Sequence, residues 1–137
     1  MATTLAFNLV SPEELLISTQ VEMVVIPGED GDMGILPHHA ATITTLRPGL
    51  IDIYKGQEIQ RRIFVSGGFA NVNQKGCTVL SPECIFLKDM DIEAIESQIR
   101  NARDELKIVR DEDEKVALKK DLELAMIKRD LFRRLLK

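Results

Sequence analysis

An α+β fold is predicted: an N-terminal antiparallel β-sandwich or barrel over residues 1–88, then a C-terminal antiparallel two-helix hairpin over residues 89–137. Three observations carry this reading. Turn signals recur every several residues up to Asp89, apolar residues between them alternate with period two, and beyond Asp89 the apolar period changes to three and four.

The first half is punctuated at Ser11-Pro12, Pro27-Gly28, Gly31, Gly34, Pro37, Arg47-Pro48-Gly49, Lys55-Gly56, Gly67-Gly68, Lys75-Gly76 and Ser81-Pro82. Glycine and proline meet the dihedral demands of turns at low steric cost. Leu5, Phe7 and Leu9 alternate with Ala6 and Asn8. Val21, Met23 and Val25 alternate with Glu22 and Val24, which places the first three on one strand face. Ile59, Ile63, Phe64 and Val65 form another strand run, and Cys77 to Leu80 another.

No proline follows Pro82 and no glycine follows Gly76. Ile92, Ile95, Ile99, Ala102, Leu106 and Val109 lie on one helical stripe. Asp89 or Asp91 is the expected N-cap, because a carboxylate accepts hydrogen bonds from free first-turn amides. A helix over Asp91 to Val109 is about 28 Å long at about 1.5 Å per residue. Continued in phase, the stripe reaches Asp113, Val116, Lys120, Glu123, Ile127 and Asp130, a mostly charged face, so it breaks near Arg110 to Glu114. A second apolar face follows through Leu118, Leu122, Ala125, Leu131, Phe132, Leu135 and Leu136, and Asp111 with Glu114 resembles a capping pair. The connection contains no glycine, so a continuous helix stays physically accessible. Two helices of this length bury too little to stand alone, and the pair must rest on the β domain or on a partner.

Several function classes are disfavoured. The net charge of -4 and the scattered basic residues argue against duplex nucleic acid. No apolar run approaches the roughly 20 residues that span a bilayer. Met1 to Val10 has neither the basic start nor the apolar core of a signal peptide. Cys77 and Cys84 read as reduced, partly buried thiols, and with His38 and His39 they lack the spacing of a zinc site. No cofactor is expected.

The Gly28, Gly31, Gly34 pattern lacks the Lys-Ser or Lys-Thr of a phosphate loop, and Glu29, Asp30 and Asp32 would repel phosphate. It reads as tight turns between strands. His38 and His39, taken as extended, point to opposite faces. No Gly-x-Ser-x-Gly elbow occurs, and nothing assembles a nucleophile, a base and an oxyanion hole. The chain is expected to have no active site of its own. Arg100, Arg103, Lys107 and Arg110 form a basic run on the first helix. It is either a solvated face, with Glu96 and Asp104 nearby, or a switchable contact with acidic surfaces of a partner.

Order and spacing then add a resemblance. Pro27-Gly28-Glu29-Asp30-Gly31-Asp32-Met33-Gly34-Ile35-Leu36-Pro37-His38-His39-Ala40 precedes Leu46-Arg47-Pro48-Gly49 and then Val65-Ser66-Gly67-Gly68-Phe69-Ala70-Asn71-Val72. This succession, attached to a helical pair, resembles the epsilon family of F-type ATP synthases, called delta in mitochondria. The family often has proline after His-Ala, where this chain has Ala41. Some members carry an ATP-binding signature with arginine and alanine at the start of the first helix. Here Met90-Asp91-Ile92-Glu93-Ala94-Ile95 keeps the aspartate but has Ala94 and Ile95 in those places. The best bidentate phosphate donor is missing, so ATP binding is not carried over.

The resemblance implies a non-catalytic rotor subunit of the central stalk. Its sandwich grips the gamma subunit and sits on the c-ring, coupling proton translocation to ATP synthesis. Gly31, Asp32 and His39 match the segment that faces the c-ring loops. A partly exposed pair there is worth about 1 kcal/mol or less, so torque passes through buried area and shape. The hairpin matches a regulatory element that extends toward the alpha and beta subunits and inhibits ATP hydrolysis. The resemblance implies peripheral membrane association through the complex, and the missing transit sequence favours the cytoplasmic face of a bacterial inner membrane; a processed organellar form is the alternative. Two other readings compete: a nucleotide-sensing module clamped by the hairpin, and an unrelated sandwich adaptor with a helical tail.

Overall fold

The computed structural model describes residues 3–135. Met1 and Leu136, named above in the N-terminal stretch and the second apolar face, lie outside the described residues. The chain divides into two compact units, one of strands ending at Asp89 and one of helices beginning at Met90.

The strand unit contains β1 (Leu5–Val10), β2 (Leu15–Val21), β3 (Met23–Gly28), β4 (Gly31–Ile35), β5 (Thr42–Leu46), β6 (Gly49–Lys55), β7 (Glu58–Val65), β8 (Gly68–Val72), β9 (Gly76–Leu80) and β10 (Cys84–Phe86), closed by a 3-10 turn at Leu87–Asp89. Their order is β10-β7-β6-β3-β5-β8-β9-β1-β2, with β4 paired to β3. Between β3 and β5 a single register pair, Gly28 with Leu46, joins the two halves. The sheet folds over at that point into a curled sandwich, with β10, β7, β6, β3 and β4 forming the first layer and β5, β8, β9, β1 and β2 the second. The β-sandwich and the two helices that follow it are as the sequence predicts.

The core is the inward parity of both layers. Leu5, Phe7 and Leu9 of β1, Ile51 and Ile53 of β6, and Val79 of β9 are buried. Each fully buried side chain of this size is worth about 1.5–3 kcal/mol relative to exposure. The phase expected for Val21, Met23 and Val25 is corrected by the structure. A bend at Glu22 ends β2 and starts β3, so Val24 and Ile26 are buried while Met23 and Val25 are half-buried. Glu22 is held at the bend, where its Oε1 accepts a hydrogen bond from the Gly56 amide at 3.1 Å.

The antiparallel expectation also has one exception. β1 pairs antiparallel with β2 but parallel with β9. These two strands are far apart in sequence, so no hairpin turn dictates their direction. Gly76 opens β9 against β1: a Cβ there would lie 2.1 Å from the Ala6 carbonyl oxygen.

In the helical unit, α1 spans Ile92–Ile108 and α2 spans Glu112–Leu135. Asp91 is the N-cap, and its side chain accepts from the amides of Glu93 and Ala94. Asp111 caps α2: its Oδ1 accepts from Asp113 N at 3.1 Å and its carbonyl from Lys115 N at 3.0 Å. The helices are antiparallel, as the 3.3 Å ion pair between Glu96 near the start of α1 and Arg133 near the end of α2 requires. Ile95, Ile99 and Ala102 of α1 and Ala125 of α2 are buried. Ile108 and Val116, both largely exposed, flank the connection.

Gly76→Ala is expected to cost about 3 kcal/mol, because its methyl group meets backbone that cannot retreat without parting β1 from β9. Urea unfolding followed by circular dichroism checks this; a loss under about 0.5 kcal/mol would show that the strands separate freely.

Candidate interaction surfaces

Only Glu29 and Asp30 turn in the Gly28, Gly31, Gly34 segment; Gly28 ends β3, and Gly31 and Gly34 belong to β4. The pattern is thus one hairpin, not a series of turns. Arg47, just past β5, clamps it. Its amide donates to the Pro27 carbonyl at 3.0 Å, and its guanidinium donates to the Gly28 carbonyl and the Asp32 carboxylate. Both charged side chains remain substantially exposed, so the pair adds about 1 kcal/mol or less. What it supplies is position: Asp32 is held toward Arg47.

Gly31 and Asp32 therefore sit beside the hairpin tip. His39 follows the other end of β4, with three residue steps, about 10 Å, from Asp32 to Ile35 alone. The structure does not gather these residues at one point. The histidine pair is not extended, contrary to expectation. His39 N donates to Leu36 O at 3.2 Å, and His38 has φ 66. Proline at the second position and positive φ at the third are the marks of a type II turn.

Arg100, Arg103, Lys107 and Arg110 are all exposed. Arg100, Arg103 and Lys107 each follow a residue of the apolar stripe by one position, about 100° around the helix. Arg110, expected on the same run, lies past the end of α1, because Val109 caps the helix in an extended conformation. The Arg100 guanidinium donates to Ser97 Oγ at 3.0 Å, while Glu96, expected to balance this run, pairs with Arg133. Asp91, the residue kept from the nucleotide signature, is occupied as a helix cap.

The most informative surface had no place in the sequence reading. On the second layer, Leu15 pairs with Val10, Val10 with Leu80, and Leu80 with Phe69. These four face away from the core as one row across four strands. Leu15 is 57% exposed, Leu80 53%, Phe69 57%, and nearby Ile43 on β5 76%. The overlooked signal is consecutive apolar residues within strands: Leu9-Val10, Phe69-Ala70 and Val79-Leu80. One of each pair enters the core, so the other must face outward. A contiguous exposed apolar row makes this face the candidate interaction surface.

On the first layer, Asp52 of β6 faces outward beside Arg62 of β7, with Arg62 Nε 3.3 Å from Asp52 Oδ1. That buried oxygen receives no aligned hydrogen bond among the described residues. Burial pushes the Asp52 carboxyl above its ordinary 3.8, Arg62 pulls it back, and the Asp32 charge raises it further. Cys77 and Cys84 are free thiols, and burial pushes Cys77 up to about 12, where it is unreactive at neutral pH.

The beta-sandwich domain of the ATP synthase delta/epsilon chain matches residues 4–86. The chain belongs to this family. The ATP synthase epsilon chain of Rhodospirillum rubrum is 51% identical over 115 residues, covering 84% of this chain and 86% of the relative. That of Rhodospirillum centenum is 46% identical over 136 residues, covering 96% and 93%. A chain from the Euglena gracilis mitochondrial ATP synthase, in an assembly of OSCP, F1 and c-ring, superposes with a TM-score of 0.76 at 24% identity. That match covers 100% of this chain and 84% of the other, and it supports the fold alone. Family membership agrees with the resemblance drawn from turn order. Among the described residues no helix is long and apolar enough to cross a membrane.

A carboxyl raised by folding gives a definite pH dependence. Above 3.8 the unfolded Asp52 has lost its proton while the folded one retains it, so stability falls as pH rises from 3.8 through the raised value. Above that value the penalty is constant. Asp52→Asn removes it. Urea titrations should show the variant gaining on the parent between pH 3.5 and 7; a flat or reversed difference would mean that Arg62 outweighs burial.

Proposed function

We propose that the chain acts as the epsilon subunit of an F-type ATP synthase, a non-catalytic member of the F1 central stalk that couples proton translocation to ATP synthesis. The exposed apolar row of the second layer carries this reading. A strand-built body with a wide outward apolar face suits a part that is gripped, and the gamma subunit is its partner there.

The magnitudes limit what the row can do alone. Completing the burial of Leu15, Leu80, Phe69 and Ile43 yields about 1–1.5 kcal/mol each, or about 4–6 kcal/mol together. Association costs about 4–15 kcal/mol in lost freedom. The row therefore anchors an interface that needs further contacts. The clamped β3–β4 hairpin with Gly31 and Asp32, and His39 beyond it, is assigned to the c-ring. With Asp32 already paired to Arg47, shape rather than a free charge makes that contact. The protein is then peripheral, held at the cytoplasmic face of the membrane by the complex.

The helical hairpin is assigned a regulatory role. Its glycine-free connection and the exposed Ile108 and Val116 beside it fit a pair of helices that extends toward the alpha and beta subunits. The basic stripe of Arg100, Arg103 and Lys107 on α1, with Arg110 in the connection beyond it, would then meet acidic surfaces. Ala94 in place of the signature arginine, and Asp91 engaged as a cap, disfavour nucleotide sensing.

Phe69→Glu places a charge in the gripped face and should weaken binding to the gamma subunit at least about tenfold, as expected for a central interface residue. Calorimetric titration of F1 lacking epsilon measures it; parental affinity would remove the row from the interface. A chain ending at Lys88 should still assemble and should release ATP hydrolysis by F1. Unchanged hydrolysis would dismiss the inhibitory role.

A further inference from the structure

One end of the apolar row deepens into a depression of about 240 Å³, framed by Val10, Pro12, Gly68, Phe69, Leu80 and Pro82. Small-molecule sites usually measure about 300–1,000 Å³, so this one is sized for a side chain rather than a cofactor. Its apolar character is constructed. Three turns converge on it, and each turns its polar groups inward. Ser11 N and Oγ both donate to the Glu14 carbonyl, at 2.9 and 3.3 Å. Ser81 N donates to the Val10 carbonyl at 3.0 Å and its Oγ to the Glu83 carbonyl at 3.1 Å. Ser66 N donates to the same Glu83 carbonyl at 3.0 Å. The serines at the mouth are thus satisfied within the turns.

The walls are also rigid. Pro12 and Pro82 fix two of them. Gly68 forms the floor with φ 113, and a Cβ there would lie 1.9 Å from the Leu80 carbonyl oxygen. Only glycine permits that close packing of β8 on β9. A preformed site loses less on binding than one that must order itself. The charge around it has one sign. Glu13 and Glu14 are exposed beside Pro12, and neither lysine nor arginine occurs in Ser11 to Glu14, Ser66 to Gly68 or Ser81 to Cys84.

Resting on the reading of the row as the gamma-facing surface, we propose that this depression receives one bulky apolar side chain of the gamma subunit, presented from a segment with basic residues beside it. The apolar side chain fills the rigid cavity and sets the register of the grip. The flanking cations meet Glu13 and Glu14 and steer the approach.

The test titrates F1 lacking epsilon with the full chain. Val10→Trp fills the depression while keeping the face apolar, and it should raise Kd at least tenfold, with Val10→Leu intermediate. Glu13→Lys with Glu14→Lys should slow association severalfold at low salt. Circular dichroism reports whether Val10→Trp folds; if it does not, Val10→Leu decides, with a Kd raised threefold or more supporting the proposal and parental affinity overturning it. Binding of a folded Val10→Trp within twofold of the parent overturns the depression as a receptor. If Phe69→Glu still weakens binding in that case, the broader reading of the face survives. If Phe69→Glu is also without effect, the face itself is misassigned. An unaltered association rate for the double lysine variant overturns the basic flank.

Discussion

A sheet this wide can bury one of its faces only by folding over on itself, and here the fold-over is concentrated at Gly28 and Leu46. Two backbone hydrogen bonds bracket the Gly28–Leu46 register pair there: the Glu29 amide on the Thr45 carbonyl and the Arg47 amide on the Pro27 carbonyl. The Arg47 guanidinium then reaches back to Gly28 and Asp32. Each contact is small. Together they set the angle at which two layers face each other, and so decide which parity of every strand enters the core. Phe7, Ile26, Ile51 and Val79 are inward because this corner turns where it does.

The same decision creates the outward surfaces. On the first layer the outward parity carries Asp52 and Arg62, a pair whose carboxylate is costly to bury. On the second it carries Leu15, Val10, Leu80 and Phe69, which would be wasteful to leave in water. In the chain alone Leu15, Leu80 and Phe69 face solvent, which is why the row is the surface proposed to meet a partner. The turns around it show the same economy of polar groups: Ser11 closes its own turn onto Glu14, Ser81 bonds Val10 and Glu83, and the Ser66 amide bonds Glu83.

Local features were legible in the residues themselves. The β1 alternation, the breaks at Ser11-Pro12 and Lys55-Gly56, the Asp91 cap and the phase break before Glu114 all depend on neighbours a few positions away. Features set by distant contacts were not legible. The Glu22 bend that shifts β3 is secured from Gly56, the parallel pairing of β1 with β9 joins opposite ends of the strand unit, and Arg47 clamps residues 15 and 19 positions away. The turn at His38 was hidden by its residue type, since glycine or asparagine usually takes that positive φ. The candidate site was half legible. Its turns announced themselves, but the residues alone did not say which of Phe69-Ala70 and Val79-Leu80 faces inward; the register and burial show that Ala70 and Val79 do.

The central claim is that the outward face of the second layer is covered in the working assembly. Hydroxyl-radical footprinting of side chains, compared between the free chain and the chain bound in F1, addresses it directly. Oxidation of Leu15, Phe69 and Leu80 should fall several-fold on assembly while Leu36, in the turn after β4, stays reactive in F1 without its c-ring. Unchanged oxidation of Phe69 and Leu80 in a fully assembled complex would contradict the account.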